Sequence, residues 1–194
     1  MVYKKKIFVV GSGGHAEACI DVIEKQKKFQ IIGLIDIKKK KLFRKYKVLS
    51  NLDNLEKLKK KTKFVHIGIG QIKSPKLRIE IYEKFLKKGF KFPTIISPSA
   101  IVSKYAKIGD GSIVMHGSHI GPNVKIGNNC IINNFANIEH GCSIDDNCHI
   151  STAVTINGNV RIKQGSFVGS GSVLKENIKL SENSFIKMGS VVIK

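Results

Sequence analysis

Residues 126–150 read IGNNCIINNFANIEHGCSIDDNCHI. A branched aliphatic residue returns at every sixth place, at Ile126, Ile132, Ile138, Ile144 and Ile150. Two places before each stands a small or modest one: Val124, Cys130, Ala136, Cys142 and Cys148. The step of six runs back to Ile96 and on to Val192, and all seventeen positions are branched aliphatic. A six-residue repeat held in two registers over a hundred residues predicts a parallel β-helix, with one large and one small side chain per repeat pointing inward. Three repeats close one triangular coil of 18 residues, giving between five and six coils. Cys130, Cys142 and Cys148 then read as packing residues and not as nucleophiles.

Upstream the period is different. KIFVV is followed by GSGGH and by AEACIDVIEKQKK, where Ala16, Cys19, Ile20 and Ile23 mark one helix face. QIIGLID and KFVHIGIG read as strands, and NLDNLEKLKKK and SPKLRIEIYEKFLKKG as helices. Strands alternating with helices predict a parallel sheet wound in βαβ units. The expected architecture is an α/β Rossmann-like domain over residues 1–92, followed by an all-β parallel β-helix over 93–194, whose left hand is implied by the resemblance given below.

The net charge is +20, and it is lopsided. Residues 1–93 hold 25 Lys/Arg against 8 Asp/Glu, while residues 94–194 hold 9 against 6. Of the 34 basic residues 31 are lysine, a pattern of solvated faces more than of base or phosphate readout, which enlists arginine. No nucleic-acid partner is expected. Nor is a membrane-inserted segment, since no run approaches the ~18 apolar residues a span needs. The four cysteines form no CxxC pair and no ligand spacing for structural zinc, so no metal is expected and a reduced cytoplasmic protein fits best.

GSGGHA matches G-x-G-x-x-A at Gly11, Gly13 and Ala16, between a strand and a helix, where glycines permit a tight turn and the helix N-terminus offers N–H groups to phosphate. Asp36 follows the second strand, placed to meet a ribose or base edge. Alone, this motif is equally a sign of an NAD-dependent oxidoreductase. The β-helix argues against that, because nothing in it resembles a substrate domain for hydride transfer.

The hexapeptide repeat, the opening VVGSGGHAEACIDVI and the later HIGIGQ together resemble the left-handed β-helix, or hexapeptide-repeat, acyltransferases. The match is similar to the bacterial branch that includes sialic acid O-acetyltransferases and N-acetyltransferases of UDP- or GDP-linked 4-amino sugars, such as UDP-N-acetylbacillosamine N-acetyltransferase. The resemblance implies acetyl-CoA bound along the β-helix, a homotrimer, and a nucleotide sugar held at Gly11, Ser12, Gly13, Gly14 and His15, with Asp36 near the base and Gly68 and Gly70 in a second turn. NNFANIEHGC resembles the family pattern N-x5-[ED]-H-[ED]-C, which implies His140 as general base supported by Asn133 and Glu139. It also implies His149, Gly158 and Gly169 on the acetyl-CoA side, the Gly158 N–H facing the thioester carbonyl. The departure is Gly141, where the family places an acid that orients the imidazole.

The expected reaction is N-acetylation of a nucleotide-linked 4-amino-4,6-dideoxy sugar by direct attack, an amine being the easier nucleophile for a base without its acid. The alternatives are O-acetylation of a sialic-acid-like sugar and a catalytically impaired nucleotide-sugar-binding homologue.

Overall fold

The computed structural model describes residues 4–36, 42–49 and 55–194. Packing divides the chain into two compact units, residues 1–70 with 77–93, and residues 71–76 with 94–194. The change of period in the sequence puts one boundary at 92/93. In the structure the hexapeptide 71–76 is grouped with the β-helix, where Gln71 Nε2 donates to the Asn147 carbonyl (2.9 Å).

In the first unit, β1 (Lys5–Val10), β2 (Phe29–Ile35), β3 (Leu42–Phe43), β4 (Tyr46–Leu49) and β5 (Val65–Ile67) form a sheet of order β3-β4-β2-β1-β5. β1, β2, β4 and β5 pair in parallel, as the alternation of strands and helices predicts. The edge pair β3–β4 is antiparallel and was not legible, since two- and four-residue strands carry no period to read. The described helices are α1 (Gly14–Gln26), α2 (Leu55–Lys59) and α3 (Lys76–Lys87). The start expected for the second helix, 51–54, lies outside the described residues. Ala16, Cys19, Ile20 and Ile23 of α1 are fully buried, which confirms the helix face read from their spacing. A second layer of Phe8, Val10, Ile35, Ile67, Phe85, Phe90 and Phe92 packs around α3 and the strand ends. Burying side chains of this size contributes roughly 1.5–3 kcal/mol each.

From Thr94 onward the chain is a left-handed β-helix of two-residue strands in three parallel sheets of six, five and six strands. Every strand ends on one of the seventeen aliphatic positions, from Ile96 to Val192. Each pairs with the strand 18 residues on, as Ile120 with Ile138 and Ile138 with Ile156. One continuous core contains both registers, Ile132, Ile138 and Ile150 alongside Cys130, Ala136 and Cys148. The small inward positions also satisfy backbone: Ser118 Oγ donates to the Asn133 carbonyl at 2.7 Å, and Cys142 Sγ to the Asn157 carbonyl at 3.1 Å.

From Gly111 to Gly189 each corner turns through one residue in the left-handed region, recurring every sixth place. These residues are Gly or Asn, the types that enter that region at least cost, except for Phe135 and Ala153. Gly141 is one of them, with φ +68°, so its identity has a backbone reason before any functional one.

Candidate active site

The corner between strands Asn137–Ile138 and Ser143–Ile144 carries Glu139, His140 and Gly141. One coil further on, the same corner carries Asn157, Gly158 and Asn159, tied to the first by Asn159 N–H donating to the His140 carbonyl (2.9 Å). The His140 imidazole lies against Gly158, its Cε1–Nε2 side nearest: a Cβ there would stand 2.7 Å from Cε1 and 2.8 Å from Nε2. Any side chain at 158 would require the ring to shift. Among the described residues neither imidazole nitrogen has a hydrogen-bond partner, and the N–H of the buried Gly158 donates to nothing. The structure thus brings together an exposed, unengaged base and an unengaged amide donor, the two groups that acyl transfer to an external nucleophile uses.

Gly141 has no Cβ, and the space is already filled: a Cβ would fall 2.3 Å from Asn159 Oδ1. A side chain at this position would require the exposed Asn159 amide to move aside. Glu139 is the nearest carboxylate along the chain, and its Oε1 accepts from Asn137 Nδ2 at 3.0 Å.

Asn133 and His149 form a second group, one corner away. Asn133 Nδ2 donates to His149 Nε2 at 3.4 Å, and the Asn133 Oδ1 accepts from the Asn134 N–H at 2.8 Å. His149 is 6% exposed, and its Nδ1–H donates to the Gln71 carbonyl. Its ring meets Phe167 edge-on at 5.2 Å. Within one chain, then, the structure places Asn133 beside His149. Gly169 packs against the backbone of Met188, and its N–H is used in the coil ladder by the Ile186 carbonyl (2.9 Å).

Cys142 donates its S–H inward, and burial pushes its thiol above the ordinary range. The same cause raises Cys19, to about 12, while Cys148 is raised by its contact with Cys130 and by burial. A thiol held protonated is no nucleophile. Among the described residues, no group of three or more His, Cys, Asp or Glu is placed to share a metal ion.

In the N-terminal unit, Gly13 caps α1 with no side chain. A methyl group at Gly13 or Gly14 would meet no atom within 4 Å, so the surface over these two glycines at the start of α1 is open. Ser12 Oγ–H donates to Asp36 Oδ2 at 2.6 Å, tying the loop to the end of β2. Gly68 fits against Val9 and Ala16, where a Cβ would come within 3.1 Å of the helix backbone. His15 lies over Gly70 and contacts Cys19 Sγ at 3.5 Å. The expected loop residues therefore do gather at one end of the sheet.

Sequence reasoning missed Arg78 in that unit. Its side chain is buried and Nη1 donates to the carbonyls of Ile67 (2.6 Å) and Ile69 (2.8 Å), bracing the turn that holds Gly68 and Gly70. The available signal was a lone arginine on a helix otherwise decorated with lysine. His66 is fully buried, and neither ring nitrogen has a partner among the described residues. Burial holds its imidazole well below the usual histidine range, with the Arg78 charge adding to the effect. No helix among the described residues is long and apolar enough to cross a membrane.

Residues 6–85 match the PglD N-terminal domain, and residues 105–140 and 124–158 match the bacterial transferase hexapeptide of six repeats. No curated protein matches the chain by sequence. Among solved structures, perosamine N-acetyltransferase from Caulobacter crescentus, a histidine-to-asparagine variant in complex with CoA and GDP-perosamine, is similar with TM-score 0.92 and 24% identity, covering 100% of this chain and 90% of its own. The acetyltransferase domain of PglB from Neisseria gonorrhoeae FA1090 is similar with TM-score 0.89 and 25% identity, covering 98% and 92%. The same domain in complex with acetyl coenzyme A gives 0.84 and 24%, covering 97% and 96%. The coils, their six-residue registers and these matches define a left-handed β-helix acyltransferase of the hexapeptide-repeat class. Within that class, the chain is similar to proteins that carry a PglD-type N-terminal domain, which its residues 6–85 match.

Proposed function

We propose that this protein moves the acetyl group of acetyl-CoA to the amino group of a nucleotide-linked 4-amino-4,6-dideoxy sugar. The observation that carries the reading is the His140 imidazole lying on Gly158 with both its nitrogens and the Gly158 N–H unengaged among the described residues. The CoA, acetyl-CoA and GDP-perosamine held by the similar structures support the choice of donor and acceptor.

In this mechanism the thioester carbonyl lies at the Gly158 N–H, where its oxygen becomes negative as the tetrahedral intermediate forms. The sugar amine attacks that carbon directly. His140 accepts the proton the amine sheds, and CoA leaves as the C–S bond breaks and its sulfur takes up a proton. Glu139 stabilises the positive charge that develops beside it. The glycine loop of the N-terminal unit and the first turn of α1 take the nucleotide pyrophosphate.

Asn133 and His149 act on the acetyl-CoA side. They lie a corner away from His140, and a homotrimer, in which copies pack side by side, brings the two groups together across a shared groove.

The test is CoA release from acetyl-CoA by the purified protein, offered UDP- and GDP-linked 4-amino sugars and a sialic acid, with His140→Ala as control. Turnover of one amino sugar, lost in the control, is the expected result. Turnover of the hydroxyl acceptor alone would replace N- by O-acetylation, and nucleotide-sugar binding without turnover would overturn the enzyme reading.

A further inference from the structure

The polar side chains around Glu139 continue beyond the site. Along the outer face of the sheet that ends in this corner stand Ile101, His119, Asn137, Thr155, Val173 and Val191. His119 and Asn137 are direct register partners on adjacent coils. His119 Nδ1 lies 2.9 Å from Asn137 Oδ1, and Asn137 Nδ2 lies 3.0 Å from Glu139 Oε1.

The chemistry of the three groups sets the direction of the chain. An ionised carboxylate only accepts, so Asn137 must present its NH2 to Glu139. Its carbonyl oxygen must then face His119, and His119 must carry its proton on Nδ1. One amide orientation and one tautomer satisfy every contact. The result is a carboxylate anchored through one oxygen, with Oε2 left to meet a cation. Its chain neighbour is His140, on the corner where Gly stands at position 141 in place of the family's acid.

We infer that His119 and Asn137 are positioning residues that act through Glu139, so that this carboxylate does the work of the acid missing at position 141. The partner it meets is the cation of the reaction, either the imidazolium of His140 or the sugar ammonium. This rests on the reading of His140 and Gly158 given above.

Two measurements test it. The first is kinetic, with acetyl-CoA and the amino sugar. His119→Ala and Asn137→Ala should each lower kcat about 5- to 20-fold, part of the ~10- to 100-fold that a charged hydrogen bond is worth. The acetyl-CoA KM should stay unchanged. The double variant should be no slower than the slower single one, and neither change should matter in a Glu139→Gln background, because all three act in series. His119→Gln keeps an N–H donor and should recover most of the rate. Effects that multiply in the double variant, or that persist in the Glu139→Gln background, would overturn the relay while leaving the His140 reading intact.

The second measurement needs no turnover and so separates the relay from the proposed function. Long-range 1H–15N correlation on the imidazole should show His119 protonated at Nδ1, with its signals shifted in Asn137→Ala. An Nε2–H tautomer at His119 would overturn the relay whatever the activity.

Discussion

Replacing Gly158 by alanine tests the active-site geometry most directly. The new Cβ would stand 2.7 Å from His140 Cε1 and 2.8 Å from Nε2, whereas carbon contacts are comfortable from about 3.5 Å. The ring must therefore retreat by roughly 0.7–1 Å. A displacement of about 1 Å at a reacting group can cost ~100-fold in rate, which is ~2.7 kcal/mol in the barrier. Stability should hardly respond. Gly158 has no positive φ, so alanine strains no backbone, and the imidazole is exposed and can swing aside. The expected outcome is a kcat lowered by about two orders of magnitude with thermal stability changed by less than about 1 kcal/mol. The assay is thiol detection of released CoA, beside a melting curve. In a His140→Ala background the same change should add little if the methyl acts through the imidazole. A further large drop there would mean that it blocks the thioester at the amide instead. Should Gly158→Ala keep half or more of wild-type kcat, the contact has no bearing on catalysis and the reasoning fails.

Three further outcomes follow from other parts of the molecule. Gly141→Ala should destabilise the β-helix by about 1–2 kcal/mol from its left-handed backbone alone, plus a clash with Asn159 Oδ1; adding Asn159→Gly should restore the clash part, read as the urea midpoint. At Phe135, which holds φ +58° with its side chain 67% exposed, asparagine should raise the melting temperature by the equivalent of ~1 kcal/mol, and an unchanged or lower value would contradict the strain. His66 is neutral in the fold because burial depresses its folded pKa below the unfolded value. The unfolded chain therefore binds the extra proton, and this contribution to stability is complete above pH ~6.5 and falls by ~1.4 kcal/mol per pH unit below it. His66→Leu should flatten that part of the profile, measured by denaturant titration between pH 7 and 5, and an unchanged slope would show that His66 does not cause it.

Much of this protein was determined by its sequence alone. A branched aliphatic residue at every sixth place from Ile96 to Val192 has one outlet, a coil that turns each of them inward, and all seventeen end a strand. The 18-residue coil placed Gly158 above His140 before any coordinates, and the glycine loop announced the first strand and helix. Identity at a position is a local fact, and a strict period repeats it often enough to be read.

What the tertiary structure decided is where side chains go once the coils are stacked. Asn133 reads as support for His140, yet its amide turns to His149. Glu139 is held by Asn137 and, through it, by His119, neither of which carries a motif. The contact a Cβ would meet at Gly141 comes from Asn159 on the next coil. The pairs Asn133–His149, His119–Asn137 and Gly141–Asn159 are settled by neighbours 16 or 18 residues away. Several rotamers of each side chain suit its own backbone equally, and only the packed coil, with its unmet donors and acceptors, selects one.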